Sequence, residues 1–272
     1  LADLVPPDVI SLNHKLAGLD HAPDGTVRMT FTNGETKRAD AVIGADGVHS
    51  VVREFMLGKE QPRFTGRVAY RTVFPAALLG DAQPYPCVKW WGPDRHIVLY
   101  YVTANRDEVY FVTSQPEDAG WMTPESWSTK GDVKALREAF SAFHPEVRHV
   151  LDSCPEVYKW ALLARDPLPR WSEGRVVLLG DACHPMPPYM AQGAAVALED
   201  AIVLARCLDG VEPEGFAAAF RRYEANRKPR ASQTHQNSGK NTWMQHNTHR
   251  DWVSGYDAVT SPLTDSTVDP AV

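Results

Sequence analysis

Residues 175–201, RVVLLGDACHPMPPYMAQGAAVALEDA, constrain this chain more than any other stretch. Val176, Val177, Leu178 and Leu179 form the short continuous apolar run of a buried strand. The run ends at Gly180-Asp181, a proline-rich loop follows, and a small-residue helix is predicted from about Met190 to Leu208. A strand thus delivers a carboxylate and a helix N-terminus to one place. Such a helix end offers unpaired N–H groups and partial positive charge to an electron-rich ligand. Asp181 beside it accepts hydrogen bonds from sugar-type hydroxyls and would repel a phosphate. The expected ligand carries both hydroxyls and a polarisable ring.

A second strand–turn–helix unit spans residues 39–53, ADAVIGADGVHSVVR. Gly44 and Gly47 permit close backbone approach to a ligand. Asp46 suits either of two roles, holding a ligand hydroxyl or capping the helix predicted over 50–57. Upstream, a helix over 1–5 leads to a strand over 9–12. Residues 27–32 alternate as a half-buried strand, Asn33-Gly34 is a hairpin signal, and a strand follows over 36–43.

The middle of the chain reads differently. Strands are predicted over 67–74, 87–91, 96–103 and 108–114, with polar turns at 92–95 and 104–107. Helices are expected over 132–143 and 145–152, a short strand over 155–160, and another helix from Pro213 into the Arg227 region. This order predicts an α/β (α+β) fold. A substrate-type antiparallel sheet domain, 63–165, is inserted into a cofactor-binding domain, 1–62 and 166–230, with the ligand cleft between them. Residues 231–272 are expected to hold a C-terminal helix and a disordered tail.

If residues 92–95 are a four-residue loop, Trp91 pairs with His96, Lys89 with Val98 and Cys87 with Tyr100. Period two then sets Cys87, Lys89, Trp91, His96, Val98 and Tyr100 on one face. A thiol, an imidazole and a phenol together are unusual for a plain core. Val88, Trp90, Ile97, Leu99 and Tyr101 form the packing face.

The net charge of −6 and a pI near 5.9 argue against nucleic acid or an anionic membrane as partner. No apolar run is long enough to cross a bilayer, and the start carries no secretory signal pattern. Cys87, Cys154, Cys183 and Cys207 are widely spaced with no CxxC, as expected for reduced thiols in a cytoplasmic protein. His184, beside Pro185, is expected to shape its loop, since no GxSxG exists to supply a nucleophile. His246 and His249 have i, i+3 spacing but no supporting ligand cluster, so no metal is expected.

Taken together, GADGVHSxVR and GRVVLLGDACHPMPPYMAQGAAxALEDA resemble the two flavin motifs of the p-hydroxybenzoate hydroxylase-like aromatic monooxygenases. PCVKWWGPDRHIVLYYVTANRDEVYFVTSQPE and YEANRKPRASQ are similar to the salicylate-hydroxylase branch, above all its members that hydroxylate 6-hydroxynicotinate. The resemblance implies a Rossmann-like FAD domain, FAD as cofactor, NADH or NADPH as electron donor, and O2. It implies a small aromatic or pyridine carboxylic acid substrate, with decarboxylative hydroxylation of 6-hydroxynicotinate to 2,5-dihydroxypyridine as the reaction. Alternatives are salicylate or another hydroxylated aromatic acid and, from a different class, a non-catalytic chain unable to hold FAD. A monomer or homodimer is expected. The family's N-terminal GxGxxG is not found, and the resemblance places it before Leu1, outside this sequence.

By the same resemblance, Asp181 binds ribityl or ribose hydroxyls and Pro188 lies against the isoalloxazine. The backbone of Gly193, Ala194 and Ala195 faces the pyrimidine edge, Asp46 belongs to the cofactor site, and Leu16 sits near the adenine end. Cys87, His96 and Tyr100 line the substrate pocket, with Tyr100 and His96 activating the ring hydroxyl. Tyr189 stands at the flavin–substrate boundary, where close relatives carry His.

Overall fold

Two separate apolar cores organise the computed structural model, which describes residues 4–118, 120, 129–240 and 251–265. One compact unit comprises Leu1–Gln61 with Arg165–Val272, the other Pro62–Ala164. In chain order the elements are β1 (Leu16–His21), β2 (Val27–Phe31), β3 (Thr36–Ala39), β4 (Val42–Gly44), α1 (Val51–Leu57), β5 (Arg63–Pro75), β6 (Cys87–Trp91), β7 (His96–Tyr101) and β8 (Glu108–Pro116). There follow β9 (Lys130–Gly131), α2 (Val133–Ala139), α3 (Pro145–Ser153), β10 (Val157–Ala164), β11 (Ser172–Glu173), β12 (Val176–Leu178), α4 (Gly193–Leu208), α5 (Phe216–Lys240) and α6 (Asp251–Ser254). The result is the mixed helix-and-sheet fold that the sequence predicts.

In the first unit β1, β2 and β3 form an antiparallel meander, and β4 runs parallel to β12 with β11 antiparallel on its other side. The single strand expected over 36–43 is therefore two. Thr36 pairs with Thr30 of β2, whereas Gly44 pairs with Leu178 of β12, so the chain changes sheets around Asp40. The strand expected over 9–12 is not formed. Pro7–Val9 is a 3-10 turn led by Pro6, and Asn13 takes φ 62°, which a strand does not tolerate.

The helix expected from Met190 starts later, at Gly193, because a 3-10 turn occupies Pro188–Met190 and Ala191 adopts φ 53°. A 3-10 turn over Pro213–Gly215 likewise delays the next helix to Phe216, and α5 then runs unbroken past the boundary expected at residue 230. Residues 261–265 are ordered against it: Thr264 N donates to Asn226 Oδ1 at 2.9 Å. The remainder of the expected disordered tail, 266–272, lies outside the described residues.

The core of this unit joins Val27, Val42, Val52, Trp171, Val176, Val177, Leu178, Val203, Phe220 and Tyr223. Gly44 lets α1 press onto β4, since a Cβ there would meet Val52 Cβ at 2.7 Å.

The second unit is a six-stranded sheet, β6-β7-β8-β5-β10-β9. Its strands from β6 through β10 are antiparallel neighbours. Val68, Tyr70, Phe74, Ile97, Leu99 and Phe111 on one face are buried in the same core as Leu136, Phe140, Val147, Val150 and Leu151 of α2 and α3. At roughly 25 cal/mol per Å² of apolar surface, such side chains contribute about 1.5–3 kcal/mol each. Among the described residues no helix is long and apolar enough to cross a membrane.

Candidate active site

In the first unit, β12 ends in a 3-10 turn, Gly180–Ala182, that sets Asp181 on the surface. Gly180 has φ +62°, and a Cβ on it would press within 3.1 Å of Ala197 Cβ in α4, so this turn requires glycine. Helix α4 begins with no side-chain cap, and Val196 N, bonded to Gln192 O, makes the first intrahelical bond. The amides of Gly193, Ala194 and Ala195 thus lead the helix without intrahelical partners. Pro188, Ala191, Ala194 and Ala195 are exposed, and Gly193 is half-buried. A Cβ on Gly193 would come within 3.9 Å of Asp181 Oδ1, so this carboxylate and the helix end form one site. The donors and the hydroxyl-accepting carboxylate fit the ribityl and pyrimidine portion of a flavin. Tyr189 is half-buried in the adjoining turn.

The two sequence motifs meet here. Arg53 of α1 donates from Nη1 to Ala182 O at 2.9 Å and from Nη2 to Val48 O at 2.6 Å. Asp46 Oδ2 accepts from the amides of Val51 and Val52 at 2.8 and 3.2 Å, and Ser50 Oγ from Arg53 N at 2.8 Å. Asp46 therefore serves as a helix cap in this structure. Leu16 is half-buried in β1, opposite Phe31.

Behind the helix end lies a buried charge network that the sequence does not reveal. His184 Nε2 lies 2.5 Å from Asp200 Oδ2, and Arg227 Nε donates to Asp200 Oδ1 at 2.8 Å. Arg227 Nη2 and the fork of Arg230 converge on Glu199 at 2.7–2.9 Å. Asp200 and Arg227 are 0% exposed and His184 3%. Burial alone would lower the Arg227 pKa, but Asp200 and Glu199 override it and hold the guanidinium charged. His184 thus shapes its loop, as expected, by tying it to α4. Cys183, His184 and Asp200 bring ligand-type atoms within 4.8 Å of one another. The Arg227 guanidinium on Asp200 would oppose a cation there, so this set does not fit a metal. His246 and His249 lie outside the described residues.

The second unit carries the predicted polar face. The register is as read from the turn: Trp91↔His96, Lys89↔Val98 and Cys87↔Tyr100. The sheet extends it into three rows. The first is Trp91, His96 and Ser114; the second Lys89, Val98, Val112, Arg71 and Tyr158; the third Cys87, Tyr100, Tyr110 and Val73. Cys87 is exposed, Tyr100 half-buried and His96 buried. Burial, then the cations of Lys89 and Arg67, push the His96 pKa down to about 3, so this imidazole is neutral at working pH. Burial, then Cys87, raises the Tyr100 pKa, which keeps its phenol protonated as a donor. The rings of Tyr100 and Tyr110 lie 4.9 Å apart, and those of Trp91 and His96 4.8 Å. Arg71, Tyr110 and Ser114 were not singled out from the sequence because β8 and β5 join this face through non-local pairings.

A family model described as FAD binding domain matches residues 9–238. The chain is 48% identical over 262 residues to a 6-hydroxynicotinate 3-monooxygenase of Bordetella bronchiseptica, covering 95% of this chain and 67% of the relative. It is 45% identical over 273 residues to the enzyme of that name from Pseudomonas fluorescens, covering 100% of this chain and 70% of the relative. Among solved structures, a salicylate hydroxylase substrate complex superposes with a TM-score of 0.81 at 24% identity, covering 96% of this chain and 72% of that one.

Proposed function

The chain belongs to the FAD-binding domain family, and from that premise we propose that it is an FAD-dependent monooxygenase acting on a small hydroxylated aromatic or pyridine carboxylic acid. Its proposed reaction uses NADH or NADPH and O2 to hydroxylate 6-hydroxynicotinate with loss of the carboxyl group, giving 2,5-dihydroxypyridine. The observation that carries this reading is the uncapped N-terminus of α4 beside the exposed Asp181, in a chain so similar to two 6-hydroxynicotinate monooxygenases.

FAD, when bound, supplies electron transfer from the nicotinamide and activation of O2. Asp181 would hold its sugar-type hydroxyls, and Pro188 would lie against the ring. The amides of Gly193, Ala194 and Ala195 would hold the electron-rich pyrimidine edge, where a helix end contributes about 0.3–1 kcal/mol, up to about 2 when partly buried.

On the sheet face, Tyr100 donates its phenolic hydrogen to the ring oxygen of the substrate and stabilises that oxygen's deprotonated form. The electron density so placed on the ring favours attack at the carboxyl-bearing carbon. His96, neutral and weakly basic, orients the substrate by hydrogen bonding instead of storing a proton. Cys87 completes the substrate contacts of this face.

A panel of hydroxylated aromatic acids tests this reading on FAD-supplemented protein, scored by stimulated NADH or NADPH oxidation. We expect 6-hydroxynicotinate to stimulate most. Stimulation by salicylate but by no hydroxypyridine carboxylate would reassign the substrate. No stimulation by any of them, or no flavin bands in the absorbance spectrum, would remove the enzymatic reading.

A further inference from the structure

The three central rows of the sheet face contain cationic and aromatic side chains but no Asp or Glu. Its cations are not equivalent. Arg67 is fully engaged: Nε donates to Ser114 Oγ at 2.8 Å, and Nη2 to the carbonyls of Asp94 and Ser114 at 2.8 and 3.1 Å. Arg71 stacks over Trp160 at 4.8 Å. Lys89 has its Nζ 4.0 Å over the Trp91 ring, and among the described residues no carboxylate pairs with it. It is half-buried in the same row as Val98 and Val112, whose side chains form an apolar floor between Lys89 and Arg71.

A half-buried ammonium without a counter-ion is costly, and so is a desolvated substrate carboxylate. Each removes the penalty of the other. On the proposed reading Tyr100 serves the ring hydroxyl, and Tyr100 and His96 stand one row to either side of Lys89. We infer that Lys89 is a substrate contact whose ammonium ion-pairs with the carboxylate of the aromatic acid while the ring lies on the Val98–Val112 floor. This rests on the reading of the chain as an aromatic-acid hydroxylase. Burial supports it by lowering the Lys89 pKa to about 8, which marks an ammonium that lacks a partner. The titratable and charged groups around Lys89 on this face are Cys87 on its own strand, His96 and Tyr100 on β7, Tyr110 on β8, and Arg67 and Arg71 on β5.

The test compares direct binding of three ligands to the wild-type protein, Lys89→Met and Lys89→Arg by titration calorimetry. The ligands are 6-hydroxynicotinate, nicotinate (which lacks the hydroxyl) and 2-hydroxypyridine (which lacks the carboxylate). Lys89→Met is expected to weaken both carboxylates by about 10- to 100-fold, the range for a hydrogen bond to a charged group, and to leave 2-hydroxypyridine unchanged. Lys89→Arg, which keeps the charge, should retain most of the carboxylate affinity and controls for folding. In the wild type kcat/KM should fall as pH rises through about 8, where the ammonium is lost, and Lys89→Met should lack that limb. Unchanged carboxylate binding in Lys89→Met, or an equal loss for 2-hydroxypyridine, would overturn the assignment while leaving the hydroxylase reading intact. Failure of the wild type to bind any of the three would overturn that reading, and this assignment with it.

Discussion

The two units handle charge in opposite ways. Behind the α4 helix end, His184, Asp200, Arg227, Glu199 and Arg230 form a buried network in which acid and base answer one another. On the sheet face, Lys89 has no acid in its row or the two beside it, and among the described residues no carboxylate pairs with it. A buried network of paired acids and bases fixes the backbone that carries a site. An ammonium without a carboxylate beside it is poised for a ligand that brings the missing charge. The first unit therefore looks built for positioning and the second for recognition, and substitutions should sort accordingly.

The largest effect is expected in the network. Asp200→Ala leaves a buried guanidinium and a buried imidazole without their shared acceptor, and should cost about 3–5 kcal/mol of unfolding free energy, as for other broken buried ion pairs. Replacing both partners, as in Asp200→Leu with Arg227→Met, should recover a large part of that loss. Denaturant titrations of the three proteins check this. A larger loss in the double variant than in the single one would show that the two groups contribute independently.

At Tyr100 stability should change little and catalysis much. Tyr100→Phe should lower kcat/KM by about 10- to 100-fold, the value of one hydrogen bond to a developing anion, with the unfolding midpoint nearly constant. A variant that loses stability instead of rate would make Tyr100 a packing residue.

The same contrast has a pH signature. His96 titrates at about 3 in the folded protein against an ordinary 6.5, so between these values the unfolded chain binds the extra proton. Stability must then rise with pH across that window and be lost as pH falls through it. His96→Gln should show a shallower decline of unfolding free energy from pH 6.5 towards 4. An identical slope would mean that His96 is not the buried neutral group described.

The smallest effect concerns Asp46. Asp46→Ala removes the acceptor of two α1 amides and should cost about 0.5–2 kcal/mol, typical of a lost N-cap. A large loss of FAD affinity with unchanged stability would give Asp46 a direct ligand role instead.

The sequence disclosed what local chemistry controls. The loop from Gly92 to Arg95 set the β6–β7 register, and period two then named the polar face. Gly180 and the small residues after Met190 marked the helix end. What stayed hidden depends on partners far along the chain. Asp200 and Arg227 are 27 positions apart, and nothing in either neighbourhood announces the other. Arg53 and Ala182 are separated by 129 positions. The break between β3 and β4 was invisible because each half is a good strand, and only pairing shows that they enter different sheets. Lys89 was placed on this face by spacing, yet that its row and the two beside it hold no acid emerged only when β8 and β5 completed the rows.

The most direct test of the account is one incubation of the protein with FAD, NADH or NADPH, O2 and 6-hydroxynicotinate labelled at the carboxyl carbon. The account predicts that the substrate accelerates nicotinamide oxidation and that labelled CO2 appears in step with 2,5-dihydroxypyridine. Oxidation that the substrate does not accelerate, with the label retained in the acid, would contradict it.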